Sequence, residues 1–118
     1  MIVFALNSDL MFGSKMSAAA KSSGATLSTY GSAAGLIQSF SDAPKDCTVV
    51  LDLSCGEAKN DIFSLVSNIR ESLPAARIIA FAPHVQELLL TNATDAGCDL
   101  VMSRGQFHRE MDQLFAAE

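Results

Sequence analysis

Short apolar blocks of strand length alternate with stretches of helical period along the whole chain, and few folds satisfy that pattern. Ile2–Leu6 is an unbroken apolar run that Asn7, Ser8 and Asp9 interrupt. From Met11 to Ser22 the chain is Ala-rich, with Phe12, Met16, Ala19 and Ala20 at helical spacing. Gly24 follows as a natural C-terminal stop. Ala25–Tyr30 alternates and is rich in Thr and Ser, as an edge strand is. Gly31-Ser32 opens a short helix carrying Leu36, Ile37 and Phe40. Thr48–Leu53 is apolar on both faces, which suits the centre of a parallel sheet. Ser54–Asn60 reads as a loop. Ile62, Val66, Ile69 and Leu73 mark an amphipathic helix that Pro74 ends. Arg77–Ala82 is a second buried strand. Val85, Leu88, Leu89, Ala93 and Ala96 form a fourth helix, closed by Gly97. Cys98–Met102 is a fifth strand, and Phe107, Met111, Leu114 and Phe115 mark a fifth helix.

Five such units predict an α/β domain with a parallel sheet covered on both faces. Right-handed crossovers favour a flavodoxin-like, doubly wound sheet in the order 2-1-3-4-5. The units use up the 118 residues, so a single domain over 1–118 is expected, with no length left for a DNA-binding or catalytic output. An apolar fraction of 49% excludes disorder. A net charge of −5, with only eight scattered Lys and Arg, argues against a nucleic-acid surface. No apolar run approaches the ~20 residues that span a membrane, and Met1–Leu6 lacks the flanks of a signal peptide. Three cysteines without a CxxC suggest reduced thiols and a cytoplasmic protein. Together with two histidines they make no zinc signature, and no GxGxxG supports dinucleotide binding.

In an open sheet of this kind, function collects beyond the carboxyl ends of the strands. The residues there are Ser8 and Asp9, then Asp52 through Gly56, then Pro83-His84, then Ser103-Arg104-Gly105. Asp52 stands out, because a carboxylate bracketed by Val49, Val50, Leu51 and Leu53 needs a partner, a cation or water. The plainer reading is a strand-end Asp that accepts hydrogen bonds from loop amides. His84 and His108 read as exposed, and Cys47 and Cys98 as small core residues. Cys55 lies near Asp52 but has no basic neighbour in sequence.

These blocks carry a resemblance. Over its whole length the chain resembles the receiver domain of two-component response regulators, whose fold is CheY-like. Val49-Val50-Leu51-Asp52-Leu53 resembles the strand bearing the phospho-accepting aspartate. Ile78 through His84 is similar to the fourth strand and its loop. Ala96-Gly97-Cys98-Asp99-Leu100-Val101-Met102-Ser103-Arg104 resembles the fifth strand that ends in the family's lysine. The resemblance implies Asp52 as candidate phospho-acceptor. It implies Mg²⁺ held by Asp9, Asp52 and the Ser54 backbone carbonyl, at a weakened site. It puts Arg104 and Ala82 at the phosphate-binding positions.

The chain departs from the pattern at the same places. One of the two adjacent acidic residues after strand one is missing if Ser8 and Asp9 match, and both are missing if Asn7 and Ser8 do. Ala82 has no hydroxyl to follow a phosphoryl group, Arg104 replaces a lysine, Gly105 a proline, and Val101 the aromatic of the switch. Cys55-Gly56 stands where the family has Met-Pro. A degenerate, or pseudo-, receiver is therefore expected. It would be a non-enzymatic signalling module that contacts a histidine kinase or a downstream regulator. The resemblance also suggests a homodimer through the face of the fourth helix, fifth strand and fifth helix, using Leu90 or its neighbours. The rival readings are an interaction domain without acid-pocket chemistry and a flavodoxin-like ligand-binding domain.

Overall fold

In a computed structural model that describes residues 1–116, each apolar block is a strand of one sheet. The strands are β1 Ile2–Leu6, β2 Thr26–Tyr30, β3 Thr48–Asp52, β4 Arg77–Ala82 and β5 Leu100–Ser103. All neighbours are parallel and their order is β2-β1-β3-β4-β5, the expected topology. The helices are α1 Leu10–Ser23, α2 Ala33–Gln38, α3 Gly56–Asn60, α4 Ile62–Ser72, α5 Glu87–Ala96 and α6 Arg104–Phe115, with a 3₁₀ turn at Ser39–Asp42.

Two differences from the sequence reading have local causes. Ser54–Asn60, read as a loop, contains α3. Its single buried apolar residue, Ala58, gives no periodicity to detect, yet anchors the turn in the core. Strand β5 begins at Leu100 rather than Cys98, because the Cys98 N–H is taken by the Ala93 carbonyl at the end of α5. Gly97 makes that closure by adopting φ 101°, a left-handed conformation that favours glycine.

Alternation along the strands sorts the core into two layers. Val3, Ala5, Val50, Ile79 and Phe81 face α1 and α6, where they meet Phe12, Met16, Phe107, Met111 and Phe115. Phe4, Leu6, Val49, Leu51, Ile78 and Ala80 face the other way, toward Leu36, Leu65, Val66 and Ile69. The first layer has an aromatic spine. The Phe81 and Phe107 rings stack at 4.7 Å, with Phe12 5.0 Å from Phe81 and Phe115 edge-on to Phe107. That spine lies under the ends of β3 and β4 and supports the residues that follow them.

Candidate functional site

The acid corner starts from two strand ends. Asp52 is the last residue of β3 and only 7% exposed. Its Oδ1 accepts the Ser54 N–H at 3.0 Å, so the expected strand-end turn forms. On β1, Leu6 pairs with Leu51, and one step further places Asn7 beside Asp52. Asn7 is buried, at 5% exposure. Its Nδ2 donates to the Asp9 carbonyl at 2.9 Å, and its Oδ1 accepts the Asp9 N–H at 3.2 Å. The amide is thus spent on shaping the turn between β1 and α1.

That turn makes Asp9 the N-cap of α1, its Oδ1 accepting the Phe12 N–H at 3.1 Å. Its Oδ2 accepts from Arg104, the first residue of α6, which follows β5 without an intervening loop. The Arg104 guanidinium also lies 4.6 Å from the centre of the Phe12 ring. One cation therefore engages both the cap and the first turn of α1. The Phe12 N–H and then Arg104 hold the Asp9 carboxyl below its ordinary value. Asp52 moves the other way: burial raises its pKa, the Ser54 N–H and the Arg104 charge pull it back, and the Asp9 charge adds to the rise.

The structure brings together Asp9, Asp52 and Arg104, three of the residues singled out from sequence. Ser54 joins them through its N–H. Ala82 does not, since its methyl is fully buried in the layer opposite the aromatic spine. The residue of β4 in register with Asp52 is Phe81. Leu90, suggested as a contact residue, is packed against the core with Leu89, while Leu88 is 71% exposed. Helical spacing explains the difference, because three consecutive leucines spread over most of the helix circumference. Sequence reasoning named Asn7 only as an alternative match to the acidic pair, and missed Phe12 and Phe81 as parts of the site. The one available signal was Asn7, a polar residue ending an apolar run.

A divalent ion is what the resemblance implies for this corner, and the residues present fit it poorly. Mg²⁺ takes near-octahedral oxygen ligands, commonly one or two carboxylates with water. Both Asp9 oxygens and Asp52 Oδ1 already accept hydrogen bonds, which leaves Asp52 Oδ2 as the uncommitted carboxylate oxygen. Among the described residues, no three His, Cys, Asp or Glu side chains gather as a metal-holding group.

Beside the corner lies an open cleft of about 590 Å³ between α1, the β4–α5 loop and α6. Phe12, Lys15, Arg104 and both histidines of the chain, His84 and His108, line it.

The architecture is the CheY-like fold of response-regulator receiver domains. The beryllofluoride-activated NtrC4 receiver domain dimer matches at TM-score 0.74 and 14% identity, over 98% of both chains. A CheY-like protein, tadZ, from Pseudomonas aeruginosa matches at 0.74 and 18% identity, over 97% of this chain and 95% of its own. A putative response regulator from Chloroflexus aurantiacus matches at 0.78 and 11% identity, over 96% and 92%. No protein-family model and no curated protein matches the sequence. Among the described residues no helix is long and apolar enough to cross a membrane.

Proposed function

We propose that this chain is a degenerate receiver, a two-component signalling module that acts through protein contacts with phosphorylation at Asp52 weakened or lost. The observation that carries the reading is the committed state of Asp9, which caps α1 and pairs with Arg104. Phosphoryl transfer to a buried carboxylate needs charge neutralisation by a metal at the attacking oxygen. Switching further needs a hydroxyl and an aromatic that shift together, and Ala82 and Val101 supply neither. What remains is a rigid sheet presenting its helices to a kinase, a regulator or a second copy. Val85, in the turn before α5, and Leu88, in its first turn, are 70% and 71% exposed and stand ready for such a contact. The test is intact mass after incubation with Mg²⁺ and a small-molecule phosphodonor. The expected result is no adduct under conditions that modify a standard receiver. A phosphoryl adduct on wild type that is absent from Asp52→Asn would overturn the loss of phosphorylation.

A second reading, binding of a small anion at the same strand ends, is favoured by the cleft. In a chain of net charge −5, Lys15, Arg104 and both histidines line one cleft, with Asp9, paired to Arg104, as its one carboxylate. Titration with inorganic phosphate, followed by amide chemical shifts, separates the readings. Saturable shifts confined to α1 and the start of α6 would favour ligand binding.

A further inference from the structure

Arg104 stands where a cation is electrostatically out of place. It is the first residue of α6, and helix N-termini carry partial positive charge. Two contacts offset that cost, the Asp9 carboxylate and the Phe12 ring face, and the charge of the buried Asp52 adds to them. All three lie in the acid corner. A guanidinium, permanently charged and planar, thus meets the need for positive charge that a divalent ion would otherwise meet.

We infer that Arg104 is the resident counter-cation of the acid corner, standing in for a divalent metal and keeping that metal out. The inference deepens the reading of a closed receiver, but it concerns metal binding and is independent of whether phosphate reaches Asp52. Geometry supports exclusion in two ways. Arg104 occupies Asp9 Oδ2, so the corner presents one free carboxylate oxygen instead of two. Its charge, held against Asp9, also repels an approaching dication. Replacing Arg104 by a neutral residue leaves two uncommitted carboxylate oxygens, Asp9 Oδ2 and Asp52 Oδ2. That set matches the one-or-two-carboxylate sites that hard divalent cations use.

The experiment is a Mn²⁺ titration followed by electron paramagnetic resonance of the free ion. It uses the wild-type chain, Arg104→Gln, and Arg104→Gln combined with Asp52→Asn. Circular dichroism melting shows that each is folded. Wild type is expected to show no saturable site below millimolar Mn²⁺. Arg104→Gln is expected to gain affinity by at least ~10-fold, and the double variant to lose the gain. Equal affinity in wild type and Arg104→Gln overturns the inference, and so does a gain that survives Asp52→Asn. If Arg104→Gln does not fold, Arg104→Met replaces it. Saturable submillimolar binding by wild type that Asp52→Asn abolishes overturns the inference without any Arg104 variant. Intact-mass phosphorylation reads the proposed function separately, so either can fail alone.

Discussion

Arg70 and Asp99 meet at 2.8 Å and tie together three elements that are distant in sequence. Arg70, near the end of α4, also donates to the carbonyls of Ala76 and Gly97. Asp99 accepts the Ile78 N–H at 2.8 Å with the same oxygen. The pair therefore fixes where β4 and β5 start, and through them the height at which Ala82 delivers its loop and Ser103 delivers α6. Burial opposes ionisation of Asp99, but the Ile78 N–H and Arg70 outweigh it and lower its pKa.

Asp99→Ala should cost about 1–3 kcal/mol, since it leaves the Ile78 N–H without its acceptor. Urea unfolding measures this. Ionised Asp99 is favoured in the folded state, so its contribution is present above the ordinary carboxylate range. It fades as pH falls through the lowered folded value. The difference between wild type and variant should therefore shrink in strong acid. A difference that stays constant down to pH 2 would mean the charge is irrelevant.

Asp52 predicts the opposite sign. Its pKa is raised in the folded state, so folding binds the proton more tightly than unfolding does. Stability from this group is full at low pH and declines as pH rises through the folded value. Asp52→Asn, which removes the buried charge and keeps the shape, should raise Tm at pH 7. The gain should vanish on acidification below the carboxylate range. A lower Tm at pH 7 would show that the charge is fully compensated by Arg104.

The thiol at Cys98 should be inert. Burial raises its pKa to about 11, so little thiolate exists near neutral pH. Cys98 is partly buried, and Cys47 and Cys55 are fully so. A chromogenic disulfide reagent at pH 8 should react slowly with native protein and with all three cysteines after denaturation. Rapid reaction at Cys98 in the native state would contradict the burial.

The aromatic spine carries the site's rigidity. Phe107 is fully buried, stacked on Phe81 and within reach of Phe12, whose ring lies beneath Arg104. Phe107→Ala should cost about 3–5 kcal/mol. Denaturant unfolding checks it, and a loss under 1 kcal/mol would mean the layer repacks readily.

Strand order and both core layers were legible because period-two and period-3.6 patterns are strong in this chain. Leu36, Ile69 and Phe107 sit where periodicity puts them. The acid corner was legible only in part. Asp52 and Arg104 could be picked out by position, but nothing in the sequence says that Asp9 spends one oxygen on the Phe12 N–H and the other on Arg104. The cap to Phe12 is local, but the bond to Arg104 depends on the angle at which α6 leaves β5, and pairs 95 residues apart leave no local trace. The turn-shaping role of Asn7 and the place of Phe81 were missed for the same reason, since both come from strand register.

Leu88 separates contact from core on one helix. It is 71% exposed, whereas Ala93 on the same helix is fully buried. A substitution at an exposed site without special contacts changes stability by about 0.5 kcal/mol or less. Leu88→Lys should therefore leave Tm unchanged. If α5 forms the contact between copies, the same change puts a charge into an apolar patch that includes Val85, and self-association should weaken. Sedimentation velocity across a concentration series reads this directly. Wild-type self-association that Leu88→Lys leaves intact would remove α5 as the interface and turn attention to the exposed Leu10 and Met11 at the start of α1.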